Sequence, residues 1–253
     1  MARRRFFVSE VRKGGAVIEG EEARHLTRVL RVEVGQRYEI TDSAQVYLAE
    51  VAASRKELVE FRILEELPPA APIVAVTLFA SLIKFDHFEL LIEKATELGV
   101  ESIVPVLATR TEHGLEKAVP KRMERWQRIA LEASQQSRRD RVPEIGRMVP
   151  FSVALRWANG TSAFRFWMDE VPGGTPLLNA IPANRSMEDP VALLVGPEGG
   201  WSDAERTVAL QSDWKRVTLG PQILRAETAA IASVAVIMSA WQVQGASDVE
   251  SNE

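Results

Sequence analysis

The run Val191-Ala192-Leu193-Leu194-Val195, followed at once by Gly196-Pro197-Glu198-Gly199-Gly200-Trp201-Ser202, decides the fold class. Five consecutive apolar residues offer no polar face to water, which is the pattern of a strand buried on both sides in a parallel sheet. The glycine-rich turn then hands the chain to a helix, because Ser202-Asp203-Ala204-Glu205 has the capping-box spacing. A parallel strand running through glycines into a helix N-terminus is where α/β sheets bind ligands, since backbone amides are exposed and glycine lets a ligand approach closely. The stretch is a poor phosphate cradle. It lacks the Lys-Ser/Thr of a P-loop and the G-x-G-x-x-G spacing, and Glu198 would repel a polyphosphate. The ligand it suggests is neutral or cationic, while the alternative of a tight turn with no ligand stays open.

Outward from this point, strand and helix patterns alternate. Strands are expected at Ile73 to Ala80, Ser102 to Leu107, Ser162 to Met168 and Arg216 to Leu219. Helices are expected at Phe85 to Leu98, ended by Gly99, at Pro120 to about Arg139 with proline in the first turn, and at Glu227 to Val243. This predicts an α/β domain with a parallel sheet over 73–245. A second ligand-type loop follows Val217-Thr218-Leu219, namely Gly220-Pro221-Gln222-Ile223-Leu224-Arg225-Ala226-Glu227-Thr228-Ala229-Ala230. Arginine at a helix N-terminus opposes the macrodipole, so Arg225 needs a ligand, a nucleic-acid phosphate or Glu227 to hold it.

The first seventy residues read differently. Short β-type runs at Arg5 to Val8, Ala16 to Ile18, Arg37 to Thr41, Val46 to Ala53 and Leu58 to Leu64 suggest a small β-barrel, interrupted by one helix at Glu21 to Leu30. Glu65-Glu66-Leu67-Pro68-Pro69-Ala70-Ala71-Pro72 is a proline-rich linker. The domains are therefore expected at 1–68 and 73–245, with 246–253 a disordered tail.

Composition narrows the function classes. With 46% hydrophobic and 26% charged residues the chain is that of a globular protein. It has no cysteine, so disulfides, thiolate metal sites and a cysteine nucleophile are excluded, and a metal-free mechanism is the expectation with only His25, His87 and His113 as neutral ligands. The start turns charged after three apolar positions, unlike a signal peptide, and 228–243 reads as a core helix and not a membrane span. A cytoplasmic protein without a membrane partner is expected. The net charge is −4, yet residues 1–31 hold eight Arg/Lys against four Glu and residues 121–147 eight against four acids. Such segments are either solvated faces or nucleic-acid contacts.

Taken together, Gly-Pro-Glu-Gly-Gly-Trp-Ser at 196–202 and Leu-Gly-Pro-Gln-Ile-Leu-Arg-Ala-Glu-Thr-Ala at 219–229 closely resemble the C-terminal motifs of the bacterial 16S ribosomal RNA uridine-N3 methyltransferases, members of the SPOUT superfamily. Arg5-Phe6-Phe7, His25-Leu26, Val29-Leu30-Arg31, Lys84, Glu93-Lys94-Ala95-Thr96-Glu97-Leu98-Gly99, Pro105, Arg110, Arg125-Trp126, Glu132-Ala133, Gln136-Ser137 and Arg139 extend the likeness over nearly the whole chain. Three positions depart from it: Ser43 stands where glycine is frequent, Thr111 where serine is common, and Gln222 where a basic residue is common.

The resemblance implies a PUA-like barrel that helps hold RNA, a trefoil-knotted domain that dimerises, and S-adenosylmethionine as cofactor, released as S-adenosylhomocysteine, with no metal. The cofactor would lie among the segment after Phe166-Trp167-Met168 and the two loops, touching Met168, Val195, Gly196, Pro197, Glu198, Gly199, Gly200, Leu219, Gly220, Ile223, Leu224, Ala226, Thr228 and Ala229. The acidic Glu198 suits a cationic sulfonium and ammonium. The uracil N3 would attack the methyl, with Arg225 stabilising developing charge and Glu227 either accepting the N3 proton or merely capping the last helix. RNA contacts are implied for Arg4, Arg5, His25, Arg28, Arg31, Lys84, Arg110, Gln136 and Arg139, although His25 reads first as a structural histidine. The partner would be small-subunit ribosomal RNA in the assembled subunit. The rivals are the same enzyme type acting on another RNA and a catalytically silent ribosome-assembly protein; a dinucleotide-dependent dehydrogenase is disfavoured by the missing fingerprint.

Overall fold

The computed structural model describes residues 4–68 and 73–250, with side chains as far as Val243. The chain divides into two compact units, residues 1–71 with 134–142, and residues 72–133 with 143–253. The first division falls at the expected linker, of which 69–72 lie outside the described residues. The grouping of 134–142 with the N-terminal unit departs from the expectation of two consecutive domains.

The first unit contains β1 (Arg5–Phe7), β2 (Gly15–Glu19), α1 (Gly20–Arg28), β3 (Arg37–Thr41), β4 (Val46–Arg55) and β5 (Leu58–Leu67). Its sheet has the order β1-β3-β4-β5-β2, antiparallel except for the β1–β3 pair. Because side chains alternate across a strand, each strand can send one set inward. Phe6, Ile18, Ile40, Val51, Val59 and Phe61 all meet in one core with Leu26 of α1, the arrangement of a sheet curled round its own interior. After β3 the chain turns through Ser43 at φ 69, a conformation that favours glycine. The Ser43 amide donates to Thr41 Oγ1, and Asp42 Oδ1 accepts the amides of Ala44 and Gln45 at 3.0 and 2.9 Å, which holds the turn without glycine.

Arg5 corrects an RNA-contact expectation. It lies opposite Glu39 in the β1–β3 register, and its Nε and one terminal nitrogen donate to Glu39 Oε2 at 3.1 and 2.9 Å, both side chains being buried. Arg138, from the 134–142 segment, pairs with the same carboxylate. Glu39→Ala removes the counter-charge of a buried guanidinium, so urea unfolding of the full chain is expected to show a loss of about 3 kcal/mol.

Glu22 of α1 offers a pH test. Burial raises its pKa above the ordinary carboxylate value, opposed by the hydrogen bond that Gln135 Nε2 donates at 2.8 Å. A raised folded-state pKa favours the native fold below the unfolded value and loses that contribution as pH rises through the folded value. Glu22→Gln keeps the acceptor and removes the charge. Its urea midpoint is expected to exceed that of the wild type slightly at neutral pH, the gap closing towards about pH 4.

The second unit follows as β6 (Val76–Ser81), α2 (Phe85–Glu97), β7 (Ser102–Leu107), α3 (Leu115–Ser137, its last turn grouped with the first unit), β8 (Glu144–Ile145), β9 (Val149–Pro150), α4 (Phe151–Thr161), β10 (Phe164–Met168), β11 (Thr175–Pro176), α5 (Leu177–Ala180), β12 (Val191–Val195), α6 (Asp203–Gln211), β13 (Lys215–Thr218) and α7 (Ala226–Glu250). The sheet order is β11-β13-β10-β12-β6-β7-β8 with β9 on β7, every pair parallel. All five residues of β12 are buried, as an apolar run without alternation requires. Phe79, Trp167, Ala192 and Leu194 face one layer with Phe151 and Leu155 of α4 and Ala209 of α6. On the other face α7 packs on α2, β6 and β12.

Two helix boundaries differ from expectation. α3 begins at Leu115, where Glu116 Oε2 accepts the Gly114 amide at 2.9 Å, so Pro120 sits inside the helix and deletes the bond to the Glu116 carbonyl. α7 runs to Glu250, so 246–250 are helical where a disordered tail was expected; 251–253 lie outside the described residues. Among the described residues α7 is the one helix long and apolar enough to cross a membrane, with a mean hydropathy of 1.3 over Ala226–Val243. Its buried Ala230, Val234, Ile237 and Trp241 and its seat against the sheet make it a core helix.

Candidate active site

β13, β10 and β12 are parallel neighbours, so the segments that follow them leave the sheet along one edge. These segments enclose a cavity of about 720 Å³ outside the carboxyl ends of the strands, the place where parallel sheets bind ligands. Met168, Asp169, Glu170 and residues 171–174 line it from β10; Val195, Gly196, Pro197, Glu198, Gly200 and Trp201 from β12; and Thr218, Leu219, Gly220, Pro221, Gln222, Ile223, Leu224 and Arg225 from β13, with Ala226 and Ala229 of α7. Of the expected cofactor residues, Gly199 and Thr228 are absent from the lining. The Gly199 carbonyl instead accepts a hydrogen bond from Arg110 at 3.2 Å, and Thr228 is exposed. The acidic pair Asp169-Glu170 is an addition to the residues expected from the sequence. Its signal was present, an acidic pair and Pro172-Gly173-Gly174 at a strand end.

The loops are fixed to one another by buried contacts. Trp201, fully buried, donates from Nε1 to the Met168 carbonyl at 2.8 Å and so ties the second loop to the end of β10. A Cβ at Gly196 would lie 2.9 Å from the Trp201 ring, so this glycine is demanded by the indole as well as by any ligand. Asp169 is buried between Arg206 Nε at 3.2 Å and Arg216 Nε at 2.8 Å, while Arg206 also reaches Glu170 and Asp203. Burial works against the charge of Arg206, but these carboxylates outweigh it and hold the guanidinium pKa above its usual value. The capping box of α6 is formed, with the Glu205 amide donating to Ser202 Oγ and the Ser202 amide to Glu205 Oε2. Thr111, in place of serine, keeps the hydroxyl function by accepting the Ala108 amide at 3.1 Å.

Arg225 is exposed, lines the cavity and is its one basic lining residue among the described residues. Its carbonyl accepts the Ala229 amide at 2.8 Å, placing it at the start of α7. Glu227 does not hold it. That side chain is 7% exposed, is absent from the cavity lining, and leaves Oε2 buried without a hydrogen-bond partner. Glu227 lies in the first turn of α7, where its charge suits the helix dipole, but its Oε2 makes no capping hydrogen bond. It faces His87 of α2, whose Nδ1 lies 3.9 Å from Glu227 Oε2 and 3.3 Å from Glu198 Oε1. β6, which precedes α2, is the neighbour of β12, so His87 arrives from the next strand end along the same edge. Among the described residues, no group of three or more His, Cys, Asp or Glu side chains is gathered to hold a metal ion.

Residues 69–238, well over half of the chain, match the model of the RNA methyltransferase domain. The chain belongs to the RNA methyltransferase family. Residues 18–64 of this RNA methyltransferase match the RNA methyltransferase PUA domain. It is similar to ribosomal RNA small subunit methyltransferase E of Aquifex aeolicus, 31% identical over 92% of this chain and 98% of that one. The protein of the same name from Bacillus subtilis is 31% identical over 87% and 88%. Among solved structures, ribosomal RNA small subunit methyltransferase E from Neisseria gonorrhoeae bound to S-adenosylmethionine superposes with a TM-score of 0.81 at 28% identity, covering 95% of this chain and 98% of that one.

The residues expected to touch RNA fall into both units of this RNA methyltransferase. Arg4, Arg28, Arg31 and Gln136 are exposed and belong to the first unit, where His25 and Arg139 are half-buried. Arg139 Nε donates to the Arg141 carbonyl at 3.1 Å. Lys84 and Arg110 are exposed in the second unit. Arg110 is committed in part to the Gly199 carbonyl, which makes it a brace for the second loop.

Proposed function

We propose that this RNA methyltransferase transfers a methyl group from S-adenosylmethionine to N3 of a uridine in 16S ribosomal RNA of the small subunit. The observation that carries the reading is the cavity built from three neighbouring loops, with the carboxylates of Glu170 and Glu198 and the guanidinium of Arg225 at its wall. Its residues suit the cofactor. Met168, Val195, Leu219, Leu224 and Ala229 supply apolar surface for an adenine, the glycine-rich backbone supplies hydrogen-bonding groups, and Glu170 and Glu198 supply negative charge for a sulfonium and an ammonium. S-adenosylmethionine, when bound, supplies an electrophilic methyl and departs as S-adenosylhomocysteine.

The chain's own residues account for the rest. Positioning the base against the methyl is the main contribution of the rigidly tied loops. Attack by N3 requires loss of its proton and spreads negative charge onto the flanking carbonyl oxygens, and Arg225 is placed to stabilise that charge. Glu227 is buried behind the cavity lining, so a carboxylate on the lining is better placed to take the proton. The reading includes the knot and the homodimer that the resemblance implies. Ile223, 81% exposed, and Leu224, 38% exposed, are the apolar surface a second copy would cover. It also includes the RNA-holding role of the PUA domain, an assembled small subunit as partner, and a cytoplasmic location.

Calorimetric titration of the full chain with S-adenosylmethionine is expected to show saturable binding. A protein that binds no cofactor would support the rival reading as a silent ribosome-assembly protein.

A further inference from the structure

His87 takes no part in the motifs of the two loops, yet it stands between their carboxylates. Its Nδ1 edge faces Glu198, which lines the cavity, at 3.3 Å, and Glu227, which is buried in the first turn of α7, at 3.9 Å. Its Nε2 edge faces Asp86 of its own helix at 3.7 Å. Among the described residues these three carboxylates are the charged groups paired with the ring: one from α2, one from the loop after β12, one from α7. The exposure falls in steps, from Glu198 at 42% through His87 at 29% to Glu227 at 7% of the side chain. A buried carboxylate oxygen with no hydrogen-bond partner is costly unless it serves a neighbouring charge.

We propose that Glu198, His87 and Glu227 form a proton relay, in which Glu198 accepts the N3 proton and His87 carries it away while Glu227 holds the resulting imidazolium. The proposal rests on the methyl-transfer reading above. The N3–H bond breaks with its proton going to Glu198, and the electron pair left on N3 forms the new N–CH3 bond as the C–S bond breaks with its pair going to sulfur. The proton then passes from Glu198 to Nδ1 of neutral His87 and leaves to water on the exposed edge of the ring. Glu198 is thereby the catalytic residue, and His87 and Glu227 are positioning residues that act through it. Histidine is suited to such a step because its unperturbed titration range spans neutrality.

The test begins without substrate. The chain has three histidines, so ring resonances of His87 are assigned in the full-length protein by comparison with His87→Asn. The ring nitrogen resonances of His87 are expected to move in both Glu198→Gln and Glu227→Gln, because each replaces a carboxylate that faces Nδ1. Ring resonances unmoved by both variants overturn the relay. The second arm is the pH profile of kcat. His87→Asn keeps a hydrogen-bonding group facing Glu198 but has nothing to titrate. It is expected to lose roughly 10²-fold in kcat near neutrality while keeping calorimetric affinity for S-adenosylmethionine. The deficit should narrow as pH rises and N3 loses its proton unaided. A deficit equal at every pH, or no deficit, overturns the relay. If the wild type forms no 3-methyluridine, the reading of the reaction fails and the relay fails with it. If 3-methyluridine forms equally in wild type and His87→Asn, the relay alone falls.

Discussion

Arg225→Ala is expected to lower methyl transfer by about 10² to 10³-fold while leaving the affinity for S-adenosylmethionine near that of the wild type. The guanidinium has no hydrogen-bond or ion-pair partner among the described residues, and Glu227, the acid nearest in sequence, faces His87. It also sits at the start of α7, where helix and side chain are both positive, an arrangement unfavourable by about 0.3–1 kcal/mol. A residue kept in an unfavourable place with its donors free is organised for a negative charge that arrives with the substrate. Arg225→Lys restores the charge but not the planar fork that spans two oxygens, so it should recover only part of the rate. Single-turnover kinetics with calorimetry separates the roles. Loss of cofactor affinity in Arg225→Ala would make this a binding residue and would remove it from the chemistry.

Trp201→Ala is expected to destabilise the protein by about 3–5 kcal/mol and to abolish cofactor binding at temperatures where the fold survives. The indole is fully buried, packs against Phe151 with ring centroids 5.2 Å apart and against Trp167 at 6.4 Å, and joins the second loop to the Met168 carbonyl. Its removal empties the core under the glycine-rich turn and frees the end of β10 together. Trp201→Phe separates the two effects. It retains most of the packing and loses the hydrogen bond, so thermal unfolding should register about 1 kcal/mol. Gly196→Ala attacks the same contact from the other side, since the added methyl meets the ring at 2.9 Å, and should weaken cofactor binding. Normal binding in Trp201→Phe and Gly196→Ala would mean that the cavity does not depend on this contact.

The parallel sheet and two of the three loops round the cavity are legible because local sequence suffices. A strand buried on both faces must be apolar throughout, a capping box has fixed spacing, and a glycine-rich turn between the two marks the strand end. Features set by pairing between distant segments were not legible. Arg5 reads as a surface cation until the β1–β3 register places Glu39 opposite it, and register is not written in either strand alone. His87 reads as an ordinary helical histidine, because its partners come from the ends of two other elements and meet it only through the sheet order. The placement of 134–142 with the first unit is of the same kind, since the contacts that group it, such as Arg138 with Glu39, join residues far apart in the chain. Motif membership places Gly199 and Thr228 with the cofactor loops, but neighbouring positions in a turn point different ways and these two do not line the cavity.

The most direct measurement is nucleoside mass spectrometry after incubation of the purified protein and S-adenosylmethionine with small ribosomal subunits that lack 3-methyluridine, beside naked 16S ribosomal RNA. The account predicts new 3-methyluridine in the subunits and little or none in the naked RNA. Methylation at another base or another atom, or no methylated nucleoside from a protein shown to bind the cofactor, would contradict it.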